Sequence, residues 1–335
     1  MLIAKNEQGK LVLAWQACDA ENYFCPECGE TVGLRSGRYK EAYFAHHRQS
    51  TCINDVGESN LHLLGKQQMW QWANHQGWRP SLEVYLPTIQ QRPDLLLTYF
   101  HQRIAMEFQC SPLSCERLIE RNNGYRKLGL GFVWYLGPAY HRHLGKAKRA
   151  QFVQKYKDTP ALFWWDINRH GPVYQPLRLT SLANKVQLLK QLYQLQRYPR
   201  SYLKLRAQVY QTGHLLNLCP LVGHCNEINT FLLQHSDFEW RVQLLLWLGK
   251  MPLHYSWTPE EWLRALDQRT LWQTCPCLTT SALEELQKRH LIKFTQDLVG
   301  AQIIGSTSFG YFLRQRPNWF ADVGEKVTVI AKLSE

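Results

Sequence analysis

The sequence has no apolar run long enough to cross a membrane. Its longest, such as Leu244–Leu248, fall far short of the ~20 residues that a span needs. The opening Met1-Leu2-Ile3-Ala4-Lys5-Asn6-Glu7 lacks the apolar core of a signal peptide. Internal repeats and low-complexity linkers are missing too, which excludes solenoids and strung-out domains. With 45% apolar and 20% charged residues the chain is not a disordered one. The expectation is a soluble, cytoplasmic protein of 335 residues, with no membrane partner and two or three domains.

Acidic residues are scarce in one place. Residues 141–213 carry 14 Lys and Arg against 2 Asp and Glu, while residues 1–55 carry 6 against 7, residues 56–140 carry 8 against 6, and the remainder 11 against 12. The net charge of +12 therefore sits in a single segment. Ten Tyr, Phe and Trp residues lie between Phe152 and Tyr210, and basic charge interleaved with aromatics can neutralise phosphates and stack bases. Lys146, Lys148 and Arg149 are the expected DNA contacts of that segment; a solvated helix face over an aromatic core is the plainer alternative.

Changes of pattern suggest three parts: a β-rich module over 1–55, a mixed domain over 56–179 and a helical domain over 180–335. A helix is expected from Glu58 to about Trp78, closed by Gly77 and Pro80, with Asp55-Val56-Gly57-Glu58 as its start. Strand-like runs follow at Leu82–Leu86, Asp94–Tyr99 and Ile104–Cys110. A helix from about Leu113 to Leu128 stops at Gly129, and Phe132–Leu136 is the last run before Gly137-Pro138. The order is α-β-β-β-α-β. Beyond it come a basic helix over Gly145–Lys157, a strand at Leu162–Ile167, a helical pair over Ser181–Tyr210 broken at Pro199, and a mostly helical remainder.

Ten cysteines in a reducing compartment argue for metal ligands or buried thiols rather than disulfides. Phe24-Cys25-Pro26-Glu27-Cys28-Gly29 is a Cys-x2-Cys turn, and His46, His47 and Cys52 follow it. Zinc takes four thiolate or imidazole ligands in a tetrahedron, so Cys25, Cys28, His46 and Cys52 form the expected structural site, with His47 competing for the third place. Without a metal, Cys52 would be a buried thiol. His214, Cys219, His224, Cys225, Cys275 and Cys277 match no metal spacing and are expected to pack. Cys110 and Cys115 are expected to do the same.

A second constellation concerns carboxylates. Arg92-Pro93-Asp94-Leu95-Leu96-Leu97 and Ala105-Met106-Glu107-Phe108-Gln109 flank a short turn at Phe100-His101. Pairing about that turn sets Asp94 across from Glu107, with Gln109 on the same face and Leu95, Leu97, Met106 and Phe108 on the other. Facing carboxylates repel unless a cation lies between them, and Mg²⁺ or Mn²⁺ with a substrate phosphate would relieve the repulsion. A solvated acidic pair at a sheet edge is the alternative. Glu58, His62 and Lys66 are spaced i, i+4, i+8, as are Arg117, Arg121 and Tyr125, a spacing that suits a phosphate-facing stripe.

These residues resemble the competence protein CoiA family: Glu58-Ser59-x-x-His62-x-x-x-Lys66, Arg92-Pro93-Asp94, then Glu107-Phe108-Gln109-Cys110-Ser111. Cys-Pro-x-Cys and Phe44-Ala45-His46 upstream, with Glu120-Arg121-x-x-x-Tyr125 and Trp134-x-Leu136-Gly137 downstream, extend the likeness over about residues 20–140. The resemblance implies an α/β protein with a restriction-endonuclease-like core, a small N-terminal zinc-binding β module and a mostly α-helical C-terminal domain. It implies work on DNA in natural transformation and recombination, on single-stranded or branched substrates and alongside recombination proteins. It also implies that Glu58 adds a metal ligand or orients its water and that Lys66 reaches a phosphate. The superfamily usually places a lysine where this chain has Gln109; an amide orients water but brings no charge to the transition state. Two roles on DNA therefore stand at this point, a metal-dependent nuclease and a non-catalytic recombination mediator, with RNA processing as a third.

Overall fold

A computed structural model describes all residues except 38, 39, 48, 49, 51, 53–57, 143, 199, 334 and 335. The expected helix start at Asp55–Gly57 and the break at Pro199 therefore lie outside the described residues. The chain divides into two compact units, one of residues 1–145 and 151–176, the other of 146–150 and 177–335.

The first unit opens with a five-stranded antiparallel sheet of β1 (Ile3–Asn6), β2 (Leu11–Leu13), β3 (Tyr23–Phe24), β4 (Thr31–Gly37) and β5 (Lys40–His46), ordered β2-β1-β3-β4-β5. Its inner face buries Ala4, Ala14, Tyr23, Val32 and Phe44, a small core for so many strands. Then come α1 (Asn60–His75), β6 (Arg79–Leu82), β7 (Leu95–Tyr99), β8 (Gln102–Gln109), α2 (Cys115–Lys127), β9 (Gly131–Leu136), α3 (Lys146–Phe152), β10 (Gln154–Tyr156), β11 (Thr159–Asp166) and β12 (Gly171–Pro176). Strands β6 to β12 form one mixed sheet in which β7 and β8 are antiparallel while β8 and β9 run parallel.

The turn at Phe100-His101 sets the register from Leu95↔Met106 to Tyr99↔Gln102. Because strand side chains alternate, Leu95, Leu97, Met106 and Phe108 pack with Leu63, Met69 and Ala73 of α1, whereas Leu96 and Ala105 pack with Tyr125 of α2. The sheet is thus covered by one helix on each face.

Several element bounds differ from expectation for local reasons. Helix α1 starts after Ser59, whose hydroxyl accepts from the His62 amide, so Glu58 precedes the helix instead of belonging to it. The strand expected over Leu82–Leu86 ends at Leu82, because Glu83 adopts φ +51, outside the extended region. The basic helix ends at Phe152, and Gln154–Tyr156 instead pairs antiparallel with β11 across a turn at Lys157, where φ is +54.

In the second unit, β13 (Ser181–Leu182), α4 (Lys185–Arg197), α5 (Leu203–Tyr210), β14 (Cys225–Asn226) and α6 (Asp237–Gly249) are followed by β15 (Ser256–Trp257), α7 (Pro259–Asp267), α8 (Thr280–Gly300), β16 (Ile304–Thr307), β17 (Gly310–Leu313) and α9 (Val323–Ala331). Trp240, Leu244, Trp257, Trp262, Phe294 and Leu313 share its largest core. The small sheet β15-β17-β16 departs from the helical expectation, and it closes tightly: a Cβ on Gly310, at φ +145, would meet the Trp257 carbonyl oxygen at 2.1 Å. No helix among the described residues is long and apolar enough to cross a membrane.

Candidate functional site

The first cluster grows from the Cys25–Cys28 turn, which the Gly29 amide closes onto the Cys25 carbonyl at 3.1 Å with Gly29 at φ +73. Strand β5 carries His46 to it. Cys28 Sγ and His46 Nε2 are 3.4 Å apart, and the ligand atoms of Cys25, Cys28, His46 and Cys52 all lie within 4.8 Å of one another. A tetrahedron with Zn–S bonds of ~2.3 Å has edges of ~3.8 Å, so three thiols and one imidazole at these separations fit zinc in number, type and spacing. Alternation along β5 sends the next side chain elsewhere, and His47 lines a separate cleft with Asp19 and Glu21.

The second cluster lies at one end of the β7–β8 hairpin, in a cavity of about 770 Å³. Its walls include Glu58, His62, Lys66, Glu83, Arg92, Asp94, Glu107, Gln109 and Arg121. His62 Nδ1 is joined to Glu58 Oε1 at 2.8 Å and its Nε2 to Asp94 Oδ2 at 3.2 Å; the Phe108 amide donates to the same Asp94 oxygen at 2.8 Å. Ligand atoms of Glu58, His62 and Asp94 fall within 4.8 Å of one another, while Glu107 does not join them.

The hairpin register runs as expected from Leu95↔Met106 to Tyr99↔Gln102, but Asp94 lies outside it, and Asp94 and Glu107 take different side-chain partners. Asp94 precedes β7, its carbonyl pairing with the Glu83 amide at 3.0 Å, and its carboxylate turns to His62 of α1. Glu107 is buried on the opposite side, where Arg121 and the Tyr125 hydroxyl of α2 both donate to its Oε1.

Charge in this cavity is tuned by these contacts. Burial pushes the Asp94 and Glu58 carboxyls up, but the hydrogen bonds and charge of His62, with the charge of Lys66, hold both below the usual carboxylate range. Burial pushes His62 down, and Asp94 and Glu58 outweigh it, raising the imidazole to about 10. Burial raises Glu107 to about 7, with Arg121 opposing and Asp94 adding to the rise. One oxygen, Glu58 Oε2, is buried without a hydrogen-bond partner, and the Met1 ammonium stands 3.7 Å from it. The Asp94 and Glu58 carboxylates are a donor pair that fits a divalent cation such as Mg²⁺ or Mn²⁺, while His62, engaged at both ring nitrogens, is their counter-charge.

The remaining expected contacts are occupied within the protein. Lys66 is fully buried between Glu58 and Glu83 instead of reaching outward, because two carboxylates there need a cation. Tyr125 is completely buried, its hydroxyl needing the buried Glu107 acceptor, so it does not face a phosphate. Arg121 lines the cavity but is tied to Glu107; Arg117 is exposed and binds both oxygens of Glu120 at 2.6 Å. The Gln109 amide donates to the Ser111 carbonyl at 2.6 Å. In the second unit, Lys146 Nζ donates to Asp237 at 2.6 Å and to the His235 carbonyl at 2.7 Å, and Arg149 Nε donates to the Thr230 carbonyl at 2.9 Å. These two anchor α3, with Lys148 half-buried beside them.

Glu83 is the site residue that the sequence reading passed over, and His62 was placed on the stripe with Glu58 and Lys66 without a role of its own. Spacing of four from Glu58 marked His62; nothing local marked Glu83. Among the described residues no further group of three metal-ligating side chains converges. Cys219 and His224 are buried with Lys326, whose ammonium donates to His224 Nε2 at 2.8 Å and to the Cys219 carbonyl at 2.7 Å.

Two family descriptions match this chain in tandem: "Competence protein CoiA, N-terminal domain" over residues 8–54 and "Competence protein CoiA, nuclease-like domain" over residues 58–206. Together they span more than half of it. The chain belongs to the competence protein CoiA family. A Competence protein CoiA of Bacillus subtilis (strain 168) is 33% identical over 123 residues, a stretch covering 36% of this chain and 33% of that protein. The match thus spans about a third of the relative's length. No solved structure matches the chain. The Cys25, Cys28, His46 and Cys52 quartet falls within the CoiA N-terminal match, and every wall of the hairpin cavity named above belongs to the CoiA nuclease-like match.

Proposed function

We propose that the hairpin cavity is the active site of a metal-dependent deoxyribonuclease with a restriction-endonuclease-like core, acting on single-stranded or branched DNA in natural transformation. The observation that carries the reading is the convergence of Glu58, His62 and Asp94 beside a buried Glu107 at one end of a β-hairpin. A Mn²⁺ or Mg²⁺ ion held by Asp94 and Glu58 would supply a Lewis acid for the scissile phosphate and a more acidic bound water. The protein's own part is positioning and proton transfer. The Phe108 amide fixes the Asp94 carboxylate, and His62 bridges it to Glu58. Glu107, whose carboxyl burial raises, is the general base, and Arg121 with Tyr125 aims it. Gln109 can orient water through its amide oxygen. Zinc on Cys25, Cys28, His46 and Cys52 would hold the N-terminal module together.

The test is cleavage of labelled single-stranded and branched DNA with Mn²⁺ or Mg²⁺. Asp94→Ala and Glu107→Ala should abolish turnover while leaving metal-free DNA binding intact, and Gln109→Lys should raise the rate. If the wild type cleaves no DNA across metals and both alanine variants still support recombination, the reading fails. A non-catalytic mediator working with recombination proteins is the second reading, favoured by Gln109, where the superfamily has a lysine and where the amide is bonded to Ser111.

A further inference from the structure

The second unit has a cavity of its own, far in sequence from the carboxylates. It measures about 310 Å³, at the small end of the ~300–1,000 Å³ range of ligand pockets. Leu195, Tyr198, Tyr202 and Phe238 give it apolar and aromatic walls, and Gln194 and Glu227 add the polar groups. Tyr202 and Phe238 meet edge to face with centroids 5.4 Å apart, and Tyr198, 56% exposed, stands at the rim.

The wall is built and held. Tyr202 sits at φ +56, a left-handed conformation that is unfavourable for a non-glycine residue and persists only where its surroundings enforce it. Arg206 enforces it: Nε donates to the Ser201 carbonyl at 2.9 Å and Nη2 donates to the Leu195 carbonyl. The guanidinium therefore ties the end of α4 to the start of α5 on either side of the opening.

Charge selects the occupant. From Ile167 through Asn226 the sequence has no Asp or Glu, and it has eight Lys and Arg. Lys190, Arg197, Arg200 and Lys204 are exposed on and between α4 and α5. Glu227, the first acid after that stretch, lines the cavity itself, with its Oε1 accepting from the Phe238 amide at 2.7 Å. A carboxylate among aromatic rings repels a phosphate and accepts from an N–H; exposed cations on the two helices that supply the walls attract a phosphate. The combination calls for a planar, N–H-bearing group attached to a phosphate chain. We infer that this cavity receives one unpaired nucleobase of single-stranded DNA, stacked on Tyr198 or Tyr202, whose flanking phosphates reach the basic residues of α4 and α5. Base-on-aromatic stacking is sequence-tolerant because every base has a π-face. The inference rests on the reading that DNA is the partner, and it adds a site distinct from the proposed cleavage centre.

The test uses fluorescence anisotropy of the full chain with a 20-mer single strand and with an abasic 20-mer of the same sugar-phosphate backbone, across a salt series. The base-bearing strand should bind about tenfold tighter, a factor within reach of one stacked base. Tyr198→Ala combined with Gln194→Leu, both at exposed positions, should reduce that advantage to twofold or less without changing the slope of log K against log salt. Tyr198→Phe should retain it. Arg200→Ala with Lys204→Ala should weaken both strands equally and flatten the slope. If the base-bearing strand keeps its advantage in the Tyr198 and Gln194 variant, the cavity is not a base site, although DNA remains the partner. If the wild type binds neither strand, the DNA reading and the inference fall together.

Discussion

Gly65 of α1 lies directly over the ring of Phe108 on β8: a Cβ at position 65 would sit 2.0 Å from Phe108 Cε1. The same ring stacks on His62 at 5.9 Å, and the backbone amide of Phe108 holds Asp94. The close approach of helix to strand is therefore what brings His62 within reach of Asp94. Gly65→Ala should gain up to ~1 kcal/mol of helix propensity yet lose ~1–3 kcal/mol to overpacking, a net loss measurable in urea. It should also weaken Mn²⁺ binding in a calorimetric titration. Full stability and unchanged metal affinity would show that the contact does not set the site.

Lys66 is the counterion of two buried carboxylates. Lys66→Met should leave the buried Glu83 carboxylate without its cation, while Glu58 keeps His62, and cost ~3–5 kcal/mol. Adding Glu83→Gln should recover part of that loss, since it removes the unpaired charge. A double-mutant cycle by chemical denaturation gives the coupling, and strict additivity would mean that the three side chains act independently.

His290 gives the second unit a pH signature. Burial pushes it down to about 4 from an ordinary 6.5, Asp237 opposing and Arg241, Lys146 and Lys293 adding to the fall; Trp240 and Trp272 pack on its ring. The unfolded chain takes up the proton first, so stability is fully present above about 6.5 and is lost as pH falls toward 4. The slope approaches ~1.4 kcal/mol per pH unit for one proton. Its Nε2 has no hydrogen-bond partner, so His290→Phe should leave stability at pH 7 equal or higher and flatten the profile in that window. Urea midpoints at pH 7, 6 and 5 for both proteins decide the matter, and parallel profiles would refute it.

Purified protein under reducing conditions should contain one equivalent of zinc by elemental analysis. Cys25→Ser should lose the metal and melt several degrees lower, because the N-terminal sheet has only a small core of its own. A zinc-free wild type would leave the quartet as packed thiols.

How much of this was legible in the sequence depended on whether local rules decide the outcome. The Cys and His quartet was readable because a two-residue spacer dictates a turn. The Leu95↔Met106 register was readable because a short turn leaves few ways to pair two apolar alternations. The side-chain direction of Asp94 was not, since it precedes β7 and depends on Glu83 at φ +51, a conformation that no side-chain pattern announces. The inward turn of Tyr125 was also hidden: spacing put Arg117, Arg121 and Tyr125 on one stripe, but which stripe meets the sheet depends on tertiary packing. The strands β15, β16 and β17 are two to four residues long, too short for any period to register.

Helix α3 straddles the division of the chain: Lys146–Ala150 belong to the second unit and Gln151 onward to the first. Lys146 finds its carboxylate 91 residues later, at Asp237. A ribosome adding ~5–20 residues per second leaves that ammonium without its partner for ~5–18 s. Meanwhile the rest of the helix can already settle: Gln151 bonds the Leu113 carbonyl at 3.0 Å, and β10 to β12 can complete their sheet. The nascent protein thus passes through a stage in which one half of a helix is docked and the other awaits a segment not yet made.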